Sequence, residues 1–251
     1  MEEKNINSTT ENAKHPVRAW LENFWYHYKI HTLVAVFVVA ALAVILMQMS
    51  GREEYDVHVV YAGTHHISGS GQNGDIAPHL AMVGSLKKVT GDYNDDGNVN
   101  VNLLTYHIYT SKEADEYLEK NPDKSLNEVK MRDDRSNLTS NLLFGEYYVY
   151  FLSEGLYNEY YEQYKGELFC ELAPFAKDGY DGYEYALGGR GVYLRSLPLG
   201  EQPVLADLPS DTVVCLRAVS EVSDAFGQHN EDMYEASCDV MRRILSFGID
   251  N

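Results

Sequence analysis

The sequence predicts an α/β protein, with a single N-terminal transmembrane helix followed by one α/β domain whose mostly parallel sheet is built from βαβ units. Between Lys29 and Arg52 lie twenty-two residues without a formal charge, and the stretch from Leu33 to Met47 is apolar at every position. As a helix, this uncharged run is about 33 Å long, which is enough to cross a bilayer core of about 30 Å. Beyond it, strand and helix patterns alternate, as they do in α/β domains.

The apolar run divides the chain into four segments. Residues 1–15 are polar and too poor in apolar side chains to fold, so we expect a disordered cytoplasmic tail. Residues 16–29 are rich in Trp and Tyr, which favour the lipid headgroup region, and they predict an aromatic juxtamembrane helix. Residues 30–51 are the predicted transmembrane helix, and residues 52–251 are the predicted extracytoplasmic domain.

The charges beside the span predict its orientation. Lys14, Arg18 and Lys29 precede the span, whereas Arg52 is followed at once by acidic residues. The excess of basic residues places the N-terminus in the cytoplasm and the large domain outside it, at the cell membrane. A cleaved signal peptide is the alternative. We favour an uncleaved signal anchor, because the apolar core is long and no small-x-small cleavage site follows it.

The domain carries the whole net charge of −18, since the first 50 residues contain four basic and four acidic side chains. A strongly acidic surface repels phosphate backbones, which argues against nucleic acid as a partner. Cationic ligands, neutral ligands and metal ions remain open.

The three cysteines are too few and too widely spaced for a disulfide scaffold. Cys215 lies inside an apolar run, which predicts a buried thiol. The sequence leaves open a bridge between Cys170 and Cys238 in an oxidising compartment.

The first elements of the domain predict a βαβ unit. Residues 55–63 are rich in β-branched and aromatic side chains and end at glycine, as a strand does. A helix is predicted from about residue 75, with Asp75 as its N-cap and Pro78 in its first turn. Residues 98–110, in which apolar residues alternate with asparagine, predict the second strand. This order favours a parallel sheet with a right-handed crossover.

The remaining elements follow from the same patterns of spacing. Ser125 and Glu128 have the spacing of a capping box at the start of a helix. The other predicted elements are helices 111–120, 137–144, 154–166 and 231–247, strands 145–152 and 211–219, and two short strands about Gly188 to Gly191.

Gly69, Gly71 and Gly74 match the pattern G-x-G-x-x-G between the first strand and the first helix of the domain. A dinucleotide site needs a tight turn directly after the strand, but residues 64–68 intervene. We therefore expect a flexible loop without a nucleotide cofactor.

An aspartate-rich loop before the second strand has the ligand spacing of an EF-hand. The candidate calcium ligands are Asp92, Asn94, Asp96, Asn98 and Asn100. Position 12 of the loop is Leu103 where an EF-hand has a bidentate glutamate, so any calcium bound here would be held weakly and in a structural role. The favoured interpretation is an Asp-Gly turn that leads into the strand.

His65 and His66 lie together in the loop after the first strand. A zinc site needs three or four converging ligands, and the chain contains no H-E-x-x-H motif. A metal-assisted hydrolase that uses His65, His66 and Asp92 is the third and weakest functional hypothesis for this chain.

Four stretches of the chain carry a resemblance to a known group: FWYHYKIHTLVAVF, YDVHVVYAG, DYNDDGNVNV and LLFGEYYVYFL. Together they resemble uncharacterised single-pass membrane proteins of Gram-positive anaerobic bacteria. The order of strands is similar to that in one lobe of extracellular solute-binding proteins, and this resemblance implies an accessory role beside a transporter. The first expectation is a membrane-anchored, non-catalytic domain that binds an extracytoplasmic ligand or protein partner, with calcium as the single candidate cofactor.

Overall fold

The computed structural model describes residues 16–50, 54–67, 77–219 and 230–249. The chain divides into two compact units, residues 1–53 and residues 54–251. The predicted disordered tail, the glycine-rich loop and the predicted N-cap Asp75 lie outside the described residues.

The described part of the first unit is one long helix, α1 (Pro16–Ser50). Within it, the stretch Asn23–Ile45 is long and apolar enough to cross a membrane, with a mean hydropathy of 2.1. Such a helix is compatible with a membrane anchor or with a signal sequence. The predicted juxtamembrane segment and the predicted span, as far as residue 50, form a single continuous helix, along which the rings of Trp20, Phe24 and Tyr28 stack one turn apart.

The second unit combines five strands and five helices among the described residues. In chain order they are β1 (Val57–Gly63), α2 (Ala77–Leu86), β2 (Val101–His107), α3 (Ser111–Lys120), α4 (Glu128–Phe144), β3 (Val149–Ser153), α5 (Glu154–Gln163), β4 (Gly191–Tyr193), β5 (Thr212–Leu216) and α6 (Glu231–Ser246). Short 3-10 helices at Ala173–Phe175, Leu187–Gly189, Leu194–Ser196 and Pro198–Glu201 lie between α5 and β5.

The sheet is mixed, and the prediction of a mostly parallel sheet was wrong. Its strand order is β2-β1-β3-β5-β4, in which β1 pairs parallel with β2 and β3, whereas β5 pairs antiparallel with β3 and β4. After α5, the chain touches the sheet at the bridge between Phe169 and Arg217 but does not continue as a strand there. The irregular segment that follows carries it to the opposite edge, so β5 begins beside the end of β3 and runs the other way.

Several predicted boundaries also change. The predicted helices after Ser125 are one helix, α4, which begins at Glu128. The capping box of Ser125 and Glu128 does not form, because the side chain of Asn127 caps α4 by accepting a hydrogen bond from the Lys130 N–H. Of the two short strands predicted about Gly188 to Gly191, one forms as β4, and the other is reduced to a bridge between Tyr185 and Val192.

Helices cover both faces of the sheet and enclose two apolar clusters. One face of β1 and β3 packs with residues of α2 and α6, including Met82, Leu86, Val240 and Ile244. The opposite face packs with α4 and α5, including Leu138, Leu142, Leu156 and Tyr160. Six of the seven residues of β1 are buried, as expected for a central strand covered on both sides.

Candidate functional site

The strands that follow β1 in the chain are added on opposite sides of it, first β2 and then β3. The chain passes from β1 through α2 to β2 on one side, and then through α3 and α4 to β3 on the other side of β1. In open α/β sheets, ligands bind in the crevice at the carboxyl ends of the strands where the order reverses in this way. The candidate site is therefore the edge of the sheet at the carboxyl ends of β1 and β3, at Gly63 and Ser153, where this rule places a crevice and which we call the switch-point crevice.

The ends of β1 and β3 touch at the base of this crevice. A Cβ atom added to Gly63 would lie 3.4 Å from the Cβ atom of Ser153 and 3.0 Å from the hydroxyl oxygen of Tyr61. Tyr61 is buried, and its hydroxyl accepts a hydrogen bond from the His65 N–H at 3.2 Å. A side chain at position 63 would therefore push against the tyrosine that holds the loop after β1.

Two helices, α3 and α5, begin at the switch-point crevice. Ser153 caps α5, while Thr110 and Glu113 form a capping box at α3, in which the Thr110 N–H donates to the Glu113 carboxylate at 2.6 Å. The two N-termini lie close together, since a Cβ atom added to Gly155 would lie 2.9 Å from Oε1 of Glu113. Helix N-termini carry partial positive charge, which stabilises the carboxylates of Glu113 and Glu154 in the first turns.

Three carboxylates, those of Glu113, Glu154 and Asp211, concentrate negative charge around the crevice. Asp211 directly precedes β5, whose Thr212 pairs with Ser153 at the end of β3. Burial raises the pKa of Asp211, and the charges of Glu113 and Glu154 raise it further. Burial is the main cause of this raised pKa, and the negative charges of the two glutamates add to it.

Basic and hydroxyl groups near these carboxylates have partners within the domain. The hydroxyl of Tyr193 donates to the carboxylate of Glu154. Burial and this hydrogen bond raise the pKa of Tyr193 to about 12, so the tyrosine is neutral at physiological pH. Arg195, whose charge lowers the pKa of Asp211, is ion-paired with Glu184.

Thr212 supplies a buried polar group beside the same carboxylates. Its side chain is 1% exposed, and its Oγ1 atom has no hydrogen-bond partner among the described residues. By strand alternation, Thr212 shares a face of the sheet with its paired residue Ser153. A buried hydroxyl without a partner is a group that a bound molecule can satisfy.

Histidines line the β2 side of this edge. The imidazole Nε2 of His107 lies 3.0 Å from the carbonyl oxygen of Thr64, and the rings of His66 and His107 meet edge to face at 5.2 Å. Burial lowers the pKa of His107, which favours its neutral form. His65 and His66 lie at the carboxyl end of β1, whereas Asp92 belongs to the loop at its amino end, about 20 Å away along the strand. The structure therefore does not bring together the three residues of the hydrolase hypothesis.

The aspartate-rich loop lies at the amino edge of the sheet and is closed by its own side chains. Asp92 Oδ2 accepts a hydrogen bond from the Gly97 N–H at 2.8 Å, Asn94 Oδ1 accepts one from the Asp96 N–H at 3.0 Å, and Asp96 Oδ1 accepts one from the Asn98 N–H at 2.7 Å. Gly97 has a φ of +83°, which a turn at this position requires. The other carboxylate oxygen of Asp92 is buried, with no hydrogen-bond partner among the described residues.

A second carboxylate, that of Asp56, fastens this loop to β1. Asp56 is 3% exposed, and it accepts hydrogen bonds from the N–H groups of Tyr93 at 2.7 Å, Asn94 at 3.3 Å and Asn100 at 2.7 Å. Among the described residues, no group of three or more His, Cys, Asp or Glu side chains converges as a metal site would require. Calcium binding by Asp92, Asn94, Asp96, Asn98 and Asn100 stays a prediction, and the bonds to Asp56 support the role of the loop as a turn.

No family model, curated protein or solved structure matches this chain. The functional assignment therefore rests on the geometry and chemistry of the domain itself.

Residue patterns in the sequence did not single out Glu113, Glu154, Asp211 or Thr212. Glu154 begins a predicted helix just after the predicted strand 145–152, and Asp211 is the first residue of the predicted strand 211–219. That position at strand ends is the signal that could have found them, but their meeting depends on β5 running antiparallel to β3.

Proposed function

We propose that this chain is a membrane-anchored, extracytoplasmic binding protein whose switch-point crevice takes up a small cationic or neutral polar ligand without transforming it. The observation that carries this proposal is the convergence of Glu113, Glu154 and Asp211 at the carboxyl ends of β1 and β3. In a domain with this net charge, such a crevice attracts cations and repels anions.

The chemistry of the crevice indicates the kind of group that it would bind. Ionised carboxylates form strong charge-assisted hydrogen bonds with ammonium and guanidinium groups. A cation beside Asp211 would lower the pKa that burial and its acidic neighbours raise. The hydroxyl of Thr212 adds a donor and acceptor for a neutral polar group.

A binding role fits the partners of the crevice side chains better than a catalytic one. Ser153 caps α5, Glu113 closes the capping box of α3, and Glu154 accepts the hydrogen bond of Tyr193. Only the contact of Tyr193 with Glu154 sets a hydroxyl against a carboxylate among these described contacts, and the raised pKa of Tyr193, about 12, makes that hydroxyl a weak nucleophile at physiological pH.

The membrane part of the proposal rests on α1 and on the charges that flank its apolar stretch. An uncleaved helix of this length would hold the domain at the cell surface, with residues 1–15 in the cytoplasm. The described residues of the second unit form one sheet covered by helices, which favours a single binding domain over a solute-binding-like component that closes two lobes around its ligand.

A thermal-shift series on the full-length protein in detergent tests the binding role. The probes are arginine, spermidine, a neutral disaccharide, calcium, zinc and inorganic phosphate. We expect a cationic or neutral probe to raise the melting temperature, because a ligand that binds only the native state stabilises it. Stabilisation by phosphate alone would contradict the proposal.

A matched pair of variants on α5 tests whether a cationic probe binds at the switch-point crevice. Glu154→Gln removes the charge at the crevice, whereas Glu162→Gln removes an exposed charge at the other end of the same helix. The response to a cationic probe should weaken at least tenfold in apparent affinity in Glu154→Gln and stay unchanged in Glu162→Gln. An equal response in both variants would move the site elsewhere.

A further inference from the structure

Two of the three cysteines meet at one tyrosine, at the edge of the sheet opposite the switch-point crevice. Cys170 follows the bridge between Phe169 and Arg217, and its N–H donates to the carbonyl of Leu216 at 2.8 Å. Its sulfur lies 3.5 Å from the hydroxyl oxygen of Tyr234 on α6. The same hydroxyl is hydrogen-bonded to the thiol of Cys238, one turn further along α6.

The two thiols are neighbours from different parts of the chain. Both pack against the apolar cluster on the α2 and α6 face of the sheet, and both are partly exposed free thiols. The sulfur of Cys170 contacts Tyr234, and Cys238 is the neighbour of Tyr234 one turn along the same face of α6, so the two thiols lie close together. Cys215, by contrast, is fully buried within β5.

A cavity beside this pair provides both access and room for movement. It has a volume of about 560 Å³, and it is lined by Tyr234 and Cys238 together with Glu231, Glu235 and Arg242. A small reagent can therefore approach Cys238 from solvent. The hydroxyl of Tyr234 can also turn into this space when it leaves the two sulfurs.

We propose that Cys170 and Cys238 are a disulfide-forming pair, which ties α6 to the segment that follows α5. The oxidant is a disulfide, either of a small thiol compound or of a thiol oxidoreductase. The thiolate of Cys238 attacks this disulfide, expels one thiolate and forms a mixed disulfide. The thiolate of Cys170 then attacks the sulfur of Cys238 and expels the second thiolate. Two protons leave the protein, and the two electrons reduce the external disulfide to two thiols.

Burial of the two thiols affects how fast the disulfide forms, and the loop that it encloses affects how much it stabilises the domain. Burial raises the pKa of both thiols, so little thiolate is present at neutral pH and closure is slow without a catalyst. The bridge would enclose β4, β5 and the 3-10 helices in one covalent loop, which restricts the unfolded chain and stabilises the native domain.

Thiol counting on the full-length protein in detergent tests this pairing. The protein is incubated with oxidised glutathione under native conditions, then denatured and treated with a maleimide mass tag. We expect the number of tagged thiols to fall from three to one, with a peptide linked through residues 170 and 238. The melting temperature should rise by about 5 °C or more. Three remaining thiols, or a stable glutathione adduct on Cys238 without closure, would overturn the proposal.

Single-residue variants test which cysteines form the bridge and how the hydroxyl of Tyr234 affects its formation. Cys215→Ala should retain the bridge and leave no free thiol, whereas Cys170→Ser and Cys238→Ser should each abolish it. Tyr234→Phe removes the hydroxyl that contacts both sulfurs, so closure should become at least twofold faster. A bridge that included Cys215, or closure that persisted in Cys170→Ser, would assign the pairing differently.

Discussion

The guanidinium of Arg217 donates a hydrogen bond to the carbonyl oxygen of Gly145 at 2.6 Å, so a buried charge closes the C-terminal end of α4. Arg217 is fully buried, also donates to the carbonyl of Tyr147 at 3.0 Å, and lies 4.5 Å above the ring centre of Tyr148. Carbonyls at a helix C-terminus carry partial negative charge and stabilise a cation there. Arg217 thereby joins the end of β5 to the turn between α4 and β3.

Replacing this arginine should destabilise the domain strongly. Arg217→Met keeps much of the volume but leaves the carbonyls of the half-buried residues Gly145 and Tyr147 without their donor. We expect a loss of about 2–4 kcal/mol in the free energy of unfolding, measured by urea denaturation. Arg132→Met removes an exposed arginine of α4 and should change the value by less than about 0.5 kcal/mol. Similar stabilities of the two variants would contradict this role for Arg217.

Asp56 should be the residue on which the aspartate-rich loop depends. In Asp56→Asn, an amide nitrogen can replace the oxygen that accepts the Asn100 N–H, so two donors would face each other. We expect a loss of about 2 kcal/mol in the free energy of unfolding, because hydrogen bonds to charged groups contribute about 1.5–3 kcal/mol each. Asp95→Asn is the matched control, since Asp95 is exposed in the same loop and asparagine tolerates its φ of +56°. A larger loss in Asp95→Asn would be the contrary result.

The response of the protein to calcium distinguishes the two interpretations of the aspartate-rich loop, an Asp-Gly turn and a calcium site. Because Asp56 and the internal hydrogen bonds hold the turn, we expect 10 mM calcium to leave the melting temperature of the full-length protein unchanged within about 1 °C. A calcium site would instead produce a rise that Asp92→Asn removes and Asp95→Asn retains. That pattern would establish Asp92 as a ligand and replace the turn with a calcium loop.

Asp211 should make the domain less stable at neutral pH. Its pKa is raised in the folded state, so the native protein binds the proton more tightly than the unfolded chain does. Asp211→Asn should therefore increase the unfolding midpoint at pH 7. The gain should shrink as the pH falls through the folded pKa and vanish below the unfolded value of about 3.9. Asp207→Asn, at an exposed position of the same segment, should show no such pH-dependent gain.

Local patterns predicted the first half of the domain well. Two strand patterns separated by a helix predict that β1 and β2 are parallel, and the structure confirms this pairing. The predicted helix 111–120 likewise forms as α3, where its near neighbours Thr110 and Glu113 form a capping box. Where two caps competed, Asn127 started α4 instead of Ser125, because its side chain reaches the Lys130 N–H.

The direction of β5 could not be predicted in the same way. It depends on the path of the irregular segment between α5 and Thr212, which has no periodic pattern to interpret. The candidate site could not be predicted for the same reason, because Asp211 reaches Glu154 only when β5 begins beside Ser153. Likewise, the role of Arg217 depends on contacts with α4 more than 70 residues earlier in the chain.

Amine labelling of intact cells tests the central claim, that α1 anchors an extracytoplasmic domain. Lys112 is a suitable reporter because its side chain is 88% exposed, and Lys4 and Lys14 precede the span. With a membrane-impermeant reagent followed by mass spectrometry, we expect label on Lys112 in intact cells and on Lys4 and Lys14 only after permeabilisation. Label on Lys4 and Lys14 with none on Lys112 in intact cells would contradict the orientation and the binding role that depends on it.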